Sequence, residues 1–165
     1  MKTNIVLAGF MGSGKSTVGR LVACSLQRRF VDSDDVIVER AGKTIAQMFA
    51  DEGEAGFRRL ESNVCHCLAM QDDLVIATGG GALLDEDNRS VLEAKGILIC
   101  LLASPASIRE RLATESGRPL FSGNWQALYE ARLPAYRSMP HCISTDALAP
   151  PEVAQKVVAL WRASR

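Results

Sequence analysis

Aromatic side chains are scarce in this sequence: five Phe, two Trp and two Tyr among 165 residues leave few platforms on which the bases of a single strand could stack. An excess of one charge is lacking as well. Nineteen Lys and Arg balance nineteen Asp and Glu, so no global positive field exists to hold a polyanion, and no nucleic-acid partner is expected. No apolar run reaches the length of a membrane helix; the first, Ile5 to Met11, is broken at Gly9, runs into Gly12-Ser13-Gly14 and carries no cleavage-site pattern. No membrane partner is expected either. Five cysteines at irregular spacings make an odd set that suits reduced thiols in the cytoplasm better than a disulfide framework. Cys65-His66-Cys67 resembles part of a metal clasp. Zinc, however, needs a tetrahedral ligand set and usually a C-x2-C spacing, and His141 is the sole other histidine, so three unrelated side chains on one helix is the better reading.

What is present is a globular composition in a length that suits one domain, residues 1–165, domains usually holding about 100–200 residues. There is no repeat and no Gly- or Ser-rich linker. Short apolar runs recur at Asn4 to Ala8, Phe30 to Asp32, Leu74 to Thr78, Ile97 to Leu102 and, more weakly, His141 to Ser144. They are continuous rather than alternating, as expected of parallel strands covered on both faces. Helical spacing lies between them: from Lys15 through Val18, Leu21, Val22 and Leu26, and from Glu54 to Met70 through Phe57, Leu60, Val64 and Leu68. Thr44 to Gln47 has the form of a capping box. Ser104-Pro105 and Pro150-Pro151 open two further helices. Strand and helix alternate, so the fold class is α/β with a central parallel sheet. Gly117 to Pro140, with three Pro and three Arg, reads as an excursion from the core and a candidate lid.

The chemistry begins at Gly9 to Ser16, which satisfies G-x-x-x-x-G-K-S after a strand and at the start of a helix. Glycines there let successive N–H groups point at phosphate oxygens. The helix N-terminus adds its positive end, Lys15 can meet the β- and γ-phosphates, and the Ser16 hydroxyl can ligate Mg2+. A guanine-reading N-K-x-D is missing, which disfavours a GTPase. Asp32-Ser33-Asp34-Asp35 places acids at the carboxyl edge of the sheet, where α/β proteins bind ligands. Phe57-Arg58-Arg59-Leu60-Glu61 puts cations and an acid on one helix, and Gly79-Gly80-Gly81 after the third strand permits close approach of a ligand.

Together with Arg118-Pro119-Leu120 and Arg132-Leu133-Pro134-Ala135-Tyr136-Arg137, this ordered set resembles the shikimate kinases of the nucleoside-monophosphate-kinase-like group. The resemblance implies a five-stranded parallel sheet in the order 2-3-1-4-5, flanked by helices, with a mobile lid and with substrate-binding helices over about residues 33–61. It implies transfer of the γ-phosphate of ATP to the 3-hydroxyl of shikimate, a step toward chorismate and the aromatic amino acids, by a monomer using Mg2+. ATP would lie along Gly12, Ser13, Gly14, Lys15, Ser16 and Thr17, with Arg111 against adenine. Lys15 and Arg118 would contact the transferring phosphate, while Ser16 and, through water, Asp32 would hold Mg2+. Asp34 would accept the hydroxyl proton, Arg58 and Arg137 would grip the carboxylate, and Gly79, Gly80 and Gly81 would line the substrate. Two rivals stand beside this reading: another small-molecule kinase, such as a gluconate or nucleotide kinase, and a non-catalytic ATP-binding module.

Overall fold

The computed structural model describes residues 3–114 and 123–164. Five parallel strands, β1 (Asn4–Ala8), β2 (Arg29–Asp32), β3 (Leu74–Ala77), β4 (Gly96–Leu102) and β5 (His141–Ser144), form one sheet in the order β2-β3-β1-β4-β5. This is the predicted order. Each strand pairs in parallel with its neighbour, β1 setting Leu7 against Ala77 on one side and against Ile99 on the other. Around the sheet lie α1 (Lys15–Leu26), α2 (Ser33–Ala41), α3 (Ile45–Ala69), α4 (Glu86–Lys95), α5 (Pro105–Thr114), α6 (Trp125–Arg137) and α7 (Pro150–Ala163).

Strand alternation divides the core between the two faces. Ile5 and Leu7 point one way, with Val75, Ile97 and Ile99, and are covered by Val18 and Val22 of α1 and Val153, Val157 and Trp161 of α7. Val6 and Ala8 point the other way, with Ile76, Leu98 and Cys100, onto Val64 and Leu68 of α3, Leu92 of α4 and the two tyrosines of α6. With both faces dry, the strands have no polar side to show, which is why they read as unbroken apolar runs.

Helix ends follow the predicted caps. Thr44 and Gln47 form the reciprocal capping box, the Thr44 N–H donating to Gln47 Oε1 at 2.9 Å and the Gln47 N–H to Thr44 Oγ1 at 3.2 Å. The two helices expected beyond it run on as α3, kinked where Gly53 leaves the helical region at φ 67°. The first residue of α2, by contrast, is set by the Asp32 side chain, which accepts from the Asp34 N–H at 3.0 Å.

Two segments differ from the sequence reading. α4 was not anticipated, because Glu-Asp-Asn-Arg-Ser-Val-Leu-Glu-Ala-Lys offers little apolar periodicity; its signal is Asp85, whose carboxylate caps Asp87 and Asn88. The excursion read over Gly117 to Pro140 divides. Residues 117–122 lie outside the described residues, whereas Trp125–Arg137 is a helix packed on the core through buried Tyr129 and Tyr136.

Asn4 ties the lower edge of the sheet. Fully buried, it donates through Nδ2 to the Gln71 carbonyl at 2.7 Å and accepts the Leu74 N–H at 2.9 Å, joining the starts of β1 and β3. Asn4→Ala leaves both backbone groups without partners and is expected to lower stability by about 1–3 kcal/mol. A urea-unfolding midpoint equal to the parent's would show that these bonds are not needed.

Candidate active site

The parallel sheet brings the carboxyl ends of β1, β2 and β3 to one edge, and the residues singled out in the sequence gather there. After β1 the chain turns through Gly9 to Gly14 into α1, the last of these glycines standing at φ 97° as the residue before the helix. A side chain would strain that left-handed turn, and the turn is what directs the first α1 amides toward the loop's interior. Lys15 Nζ folds over the loop, donating to the Gly9 and Phe10 carbonyls at 2.7 and 3.0 Å. Phe10 anchors the loop beneath, its ring edge-on to Tyr129 with centroids 5.4 Å apart. The Ser13 hydroxyl is buried, with no partner among the described residues.

Beyond β2, Ser16 Oγ donates to Asp32 Oδ2 at 2.8 Å, which sets a hydroxyl beside a carboxylate at the mouth of the loop. Asp34 follows within the first turn of α2. One of its carboxylate oxygens is buried without a partner among the described residues, and a Cβ placed on Gly79 would come within 2.7 Å of it. Burial is the main cause that pushes its pKa up to about 6, reinforced by the nearby Asp32 and Glu61 carboxylates and opposed by the Lys15 ammonium. An unsatisfied buried oxygen on Asp34, next to the phosphate-loop lysine, is the pattern left by a group whose partner is a ligand.

The far wall is basic. Arg58 on α3 donates to Glu61 at 2.6 Å, one turn along the same helix, and its guanidinium lies so close to Gly81 that a Cβ there would stand 2.7 Å from a terminal nitrogen. Glu61 is only 2 % exposed. Desolvation raises its pKa, and the bonded Arg58 and the more distant charge of Arg132 oppose that rise. Arg132 reaches in from α6, over the Phe10 ring and against the Gly80 Cα. A side chain at 79 or 81 would thus displace Asp34 or Arg58 from its place in the cleft.

Toward the other end of the loop, Arg111 of α5 donates to the Gly12 carbonyl at 3.0 Å and to Thr145 Oγ1 and carbonyl at 3.1 Å each. Beside it lies a cavity of about 410 Å3 lined by Gly12, Gly14, Thr17, Arg111, Leu148 and Pro150. Its apolar floor and the adjacent loop suit a flat base joined to a phosphate chain. Asp146 closes this edge by accepting the Ser104 N–H at 2.9 Å, a bond that holds its carboxyl below the usual range.

The predicted residues Gly12 to Thr17, Asp32, Asp34, Arg58, Gly79 to Gly81 and Arg111 therefore converge on one cleft. Arg118 lies outside the described residues. Arg137, paired with Arg58 in the sequence reading, is exposed at the end of α6, while the arginine beside Gly80 is Arg132. The reason is helical phase. Buried Tyr129 and Tyr136 fix the inward face of α6, Arg132 falls between them, and one residue beyond Tyr136 the helix has turned about 100° away. Sequence reasoning also passed over Glu61, Ser33 and Tyr136, all inside motifs it quoted; the i, i+3 spacing of Arg58 and Glu61 was the available signal.

Comparison with known proteins bears on this cleft as a whole. The family model described as shikimate kinase matches residues 11–162. A shikimate kinase from Thermodesulfovibrio yellowstonii is 41% identical over 160 residues, covering 94% of this chain and 92% of its own. One from Symbiobacterium thermophilum is 47% identical over 151 residues, 87% of each chain. Among solved structures, shikimate kinase from Acinetobacter baumannii in complex with shikimate superposes with a TM-score of 0.91 at 37% identity, covering 100% of this chain and 96% of that one.

Proposed function

This chain belongs to the shikimate kinase family, and from that premise we propose how its cleft divides the work of moving a phosphate from ATP to shikimate. It is an ATP-dependent kinase with shikimate as acceptor. The observation that carries the assignment of parts is the unpartnered Asp34 oxygen beside Gly79 and Glu61 and within reach of the Lys15 charge, with Arg58 bonded to that same Glu61.

ATP takes the loop from Gly12 to Thr17, with its base in the cavity beside Arg111. Lys15 leaves the Gly9 and Phe10 carbonyls for the β- and γ-phosphates, and Arg118 joins it on the transferring group. Phosphoryl transfer asks for cations on the equatorial oxygens and an oriented nucleophile rather than covalent chemistry, and these two residues supply the cations. Asp34 accepts the hydrogen of the 3-hydroxyl, aims the oxygen and takes the proton as the new bond forms. Arg58 and Arg132 hold the carboxylate, each offering a planar fork that matches it. In this assignment Arg132 replaces Arg137. Within the segment read as a lid, α6 is packed on the core through Tyr129 and Tyr136.

Mg2+ fits the donors present. Ser16 Oγ and Asp32 Oδ2, 2.8 Å apart, are hard oxygens at the mouth of the loop, and these two residues would hold the ion, Asp32 through water. Bound there, Mg2+ neutralises charge on the phosphates. No described helix is long and apolar enough to cross a membrane, and the described cysteines are free thiols, which supports a cytoplasmic enzyme.

Phosphorus NMR of the product tests the reaction: one phosphomonoester on the 3-oxygen of shikimate is expected, and a phosphorylated nucleotide or a different position would refute it. The carboxylate assignment has its own test. Arg132→Met is expected to raise the shikimate KM about tenfold or more, the loss of one charge-assisted bond, with the ATP KM little changed. Arg137→Met is expected to leave the shikimate KM within about threefold, in keeping with an exposed charge. The reverse ranking would return the role to Arg137.

A further inference from the structure

The R-x-P-x-Y motif ends on a tyrosine that the reaction as described does not use, yet Tyr136 is 2 % exposed and its hydroxyl is committed to the substrate wall. Within the glycine run after β3, the Gly79 N–H donates to Ser33 Oγ at 2.9 Å. The Gly79 and Gly81 carbonyls accept from Ala82 and Leu84 N–H groups, both local turns, and the Gly80 carbonyl accepts the Tyr136 hydroxyl at 2.5 Å. Every acceptor of the run is therefore turned to the protein. The groups left over among the described residues are the Gly80 and Gly81 N–H, both donors, which is the complement an acceptor-rich polyol carboxylate requires.

Arg132 meets the same point. A Cβ on Gly80 would stand 3.3 Å from Arg132 Nη1 and 3.7 Å from Tyr136 Oη, so the guanidinium and the tyrosine hydroxyl flank one point of the run. With its proton given to the Gly80 carbonyl, that hydroxyl can serve Arg132 only as an acceptor. We infer that Tyr136 is a positioning residue for the acceptor subsite: one hydroxyl, donating to Gly80 and standing beside Arg132, holds the glycine N–H donors and the arginine fork in a fixed mutual geometry. The inference rests on the shikimate kinase reading and extends it to a residue that need not touch substrate.

α6 carries its own control. Tyr129, seven residues earlier and also buried, donates to the Ala103 carbonyl at 2.9 Å, the same kind of bond made away from the glycine run. Tyr136→Phe and Tyr129→Phe each remove one buried hydroxyl-to-carbonyl bond and are expected to lower the thermal midpoint alike. Only Tyr136→Phe should raise the shikimate KM, roughly tenfold, with the ATP KM within about twofold of the parent. The inference is overturned by a parental shikimate KM in Tyr136→Phe, by equal KM changes in both variants, or by a Tyr136→Phe protein that does not fold when Tyr129→Phe does. Parent enzyme that turns over no shikimate would instead overturn the reading beneath it, and the parental assay separates the two failures.

Discussion

Asp34→Asn is expected to lower kcat by about 10²-fold or more, in the usual range for removal of a general base, while ATP binding is retained. The amide keeps the size of the side chain and one acceptor oxygen but takes no proton at neutral pH, so the substitution separates proton acceptance from space filling. Single-turnover transfer at saturating shikimate and ATP, beside a direct ATP titration, reads both. Transfer at the parental rate would remove Asp34 from the mechanism; a collapse of ATP binding would move it to the Mg2+ shell assigned to Ser16 and Asp32. The same carboxyl predicts a pH profile. With its pKa raised to about 6, the fraction able to accept a proton falls as pH drops through about 6, and kcat/KM should fall with it.

A stability effect of opposite sign accompanies that loss. A carboxyl with a raised folded pKa binds its proton more tightly folded than unfolded, so stability declines as pH rises from about 4 to about 6 and stays reduced above. Burial, the largest cause of the shift, thus costs the enzyme stability at neutral pH in exchange for a base poised near the working range. Asp34→Asn removes the charge, and in the Mg2+-free enzyme at pH 7.5 it should raise the unfolding free energy, by up to about 3 kcal/mol for a shift near two units. At pH 4, where the parent is largely protonated, the difference should vanish.

Lys15→Met is expected to cost about 10²-fold or more in kcat, comparable with losses of other preorganised electrostatic stabilisers. Lys15 already spans the Gly9 and Phe10 carbonyls, so its ammonium sits at the loop whose amides receive phosphate. Methionine keeps the length and apolar stem but provides neither the charge nor the donors. Steady-state kinetics at saturating substrates, with the thermal midpoint as a check on folding, measures the effect. A folded Lys15→Met enzyme with parental kcat would take the lysine out of the phosphate site.

Strands were legible because a sheet dry on both faces leaves its strands no reason to alternate, and each of the five appears as an apolar run bounded by glycines or polar residues. Their order is a non-local property; it came from the likeness of the ordered motifs to one family, not from the runs. α4 was hidden because its stability comes from the Asp85 cap and the single buried face through Asn88 and Leu92 rather than from an apolar stripe. Lys15, Ser16, Asp32 and Asp34 were readable as motif positions, since loop and cap geometry is set within a few residues. The preference for Arg132 over Arg137 proposed above needs the phase of α6, and that phase is set by Tyr129 and Tyr136 packing on Phe10 and the glycine run, contacts distant in sequence.

The measurement that bears most directly on the whole account is ADP release from ATP and Mg2+ with shikimate, gluconate or a nucleoside monophosphate offered separately as acceptor. Saturable ADP release with shikimate, abolished to near background by Asp34→Asn and absent with the other two, is the predicted result. Turnover of gluconate or a nucleotide with shikimate inert would contradict it.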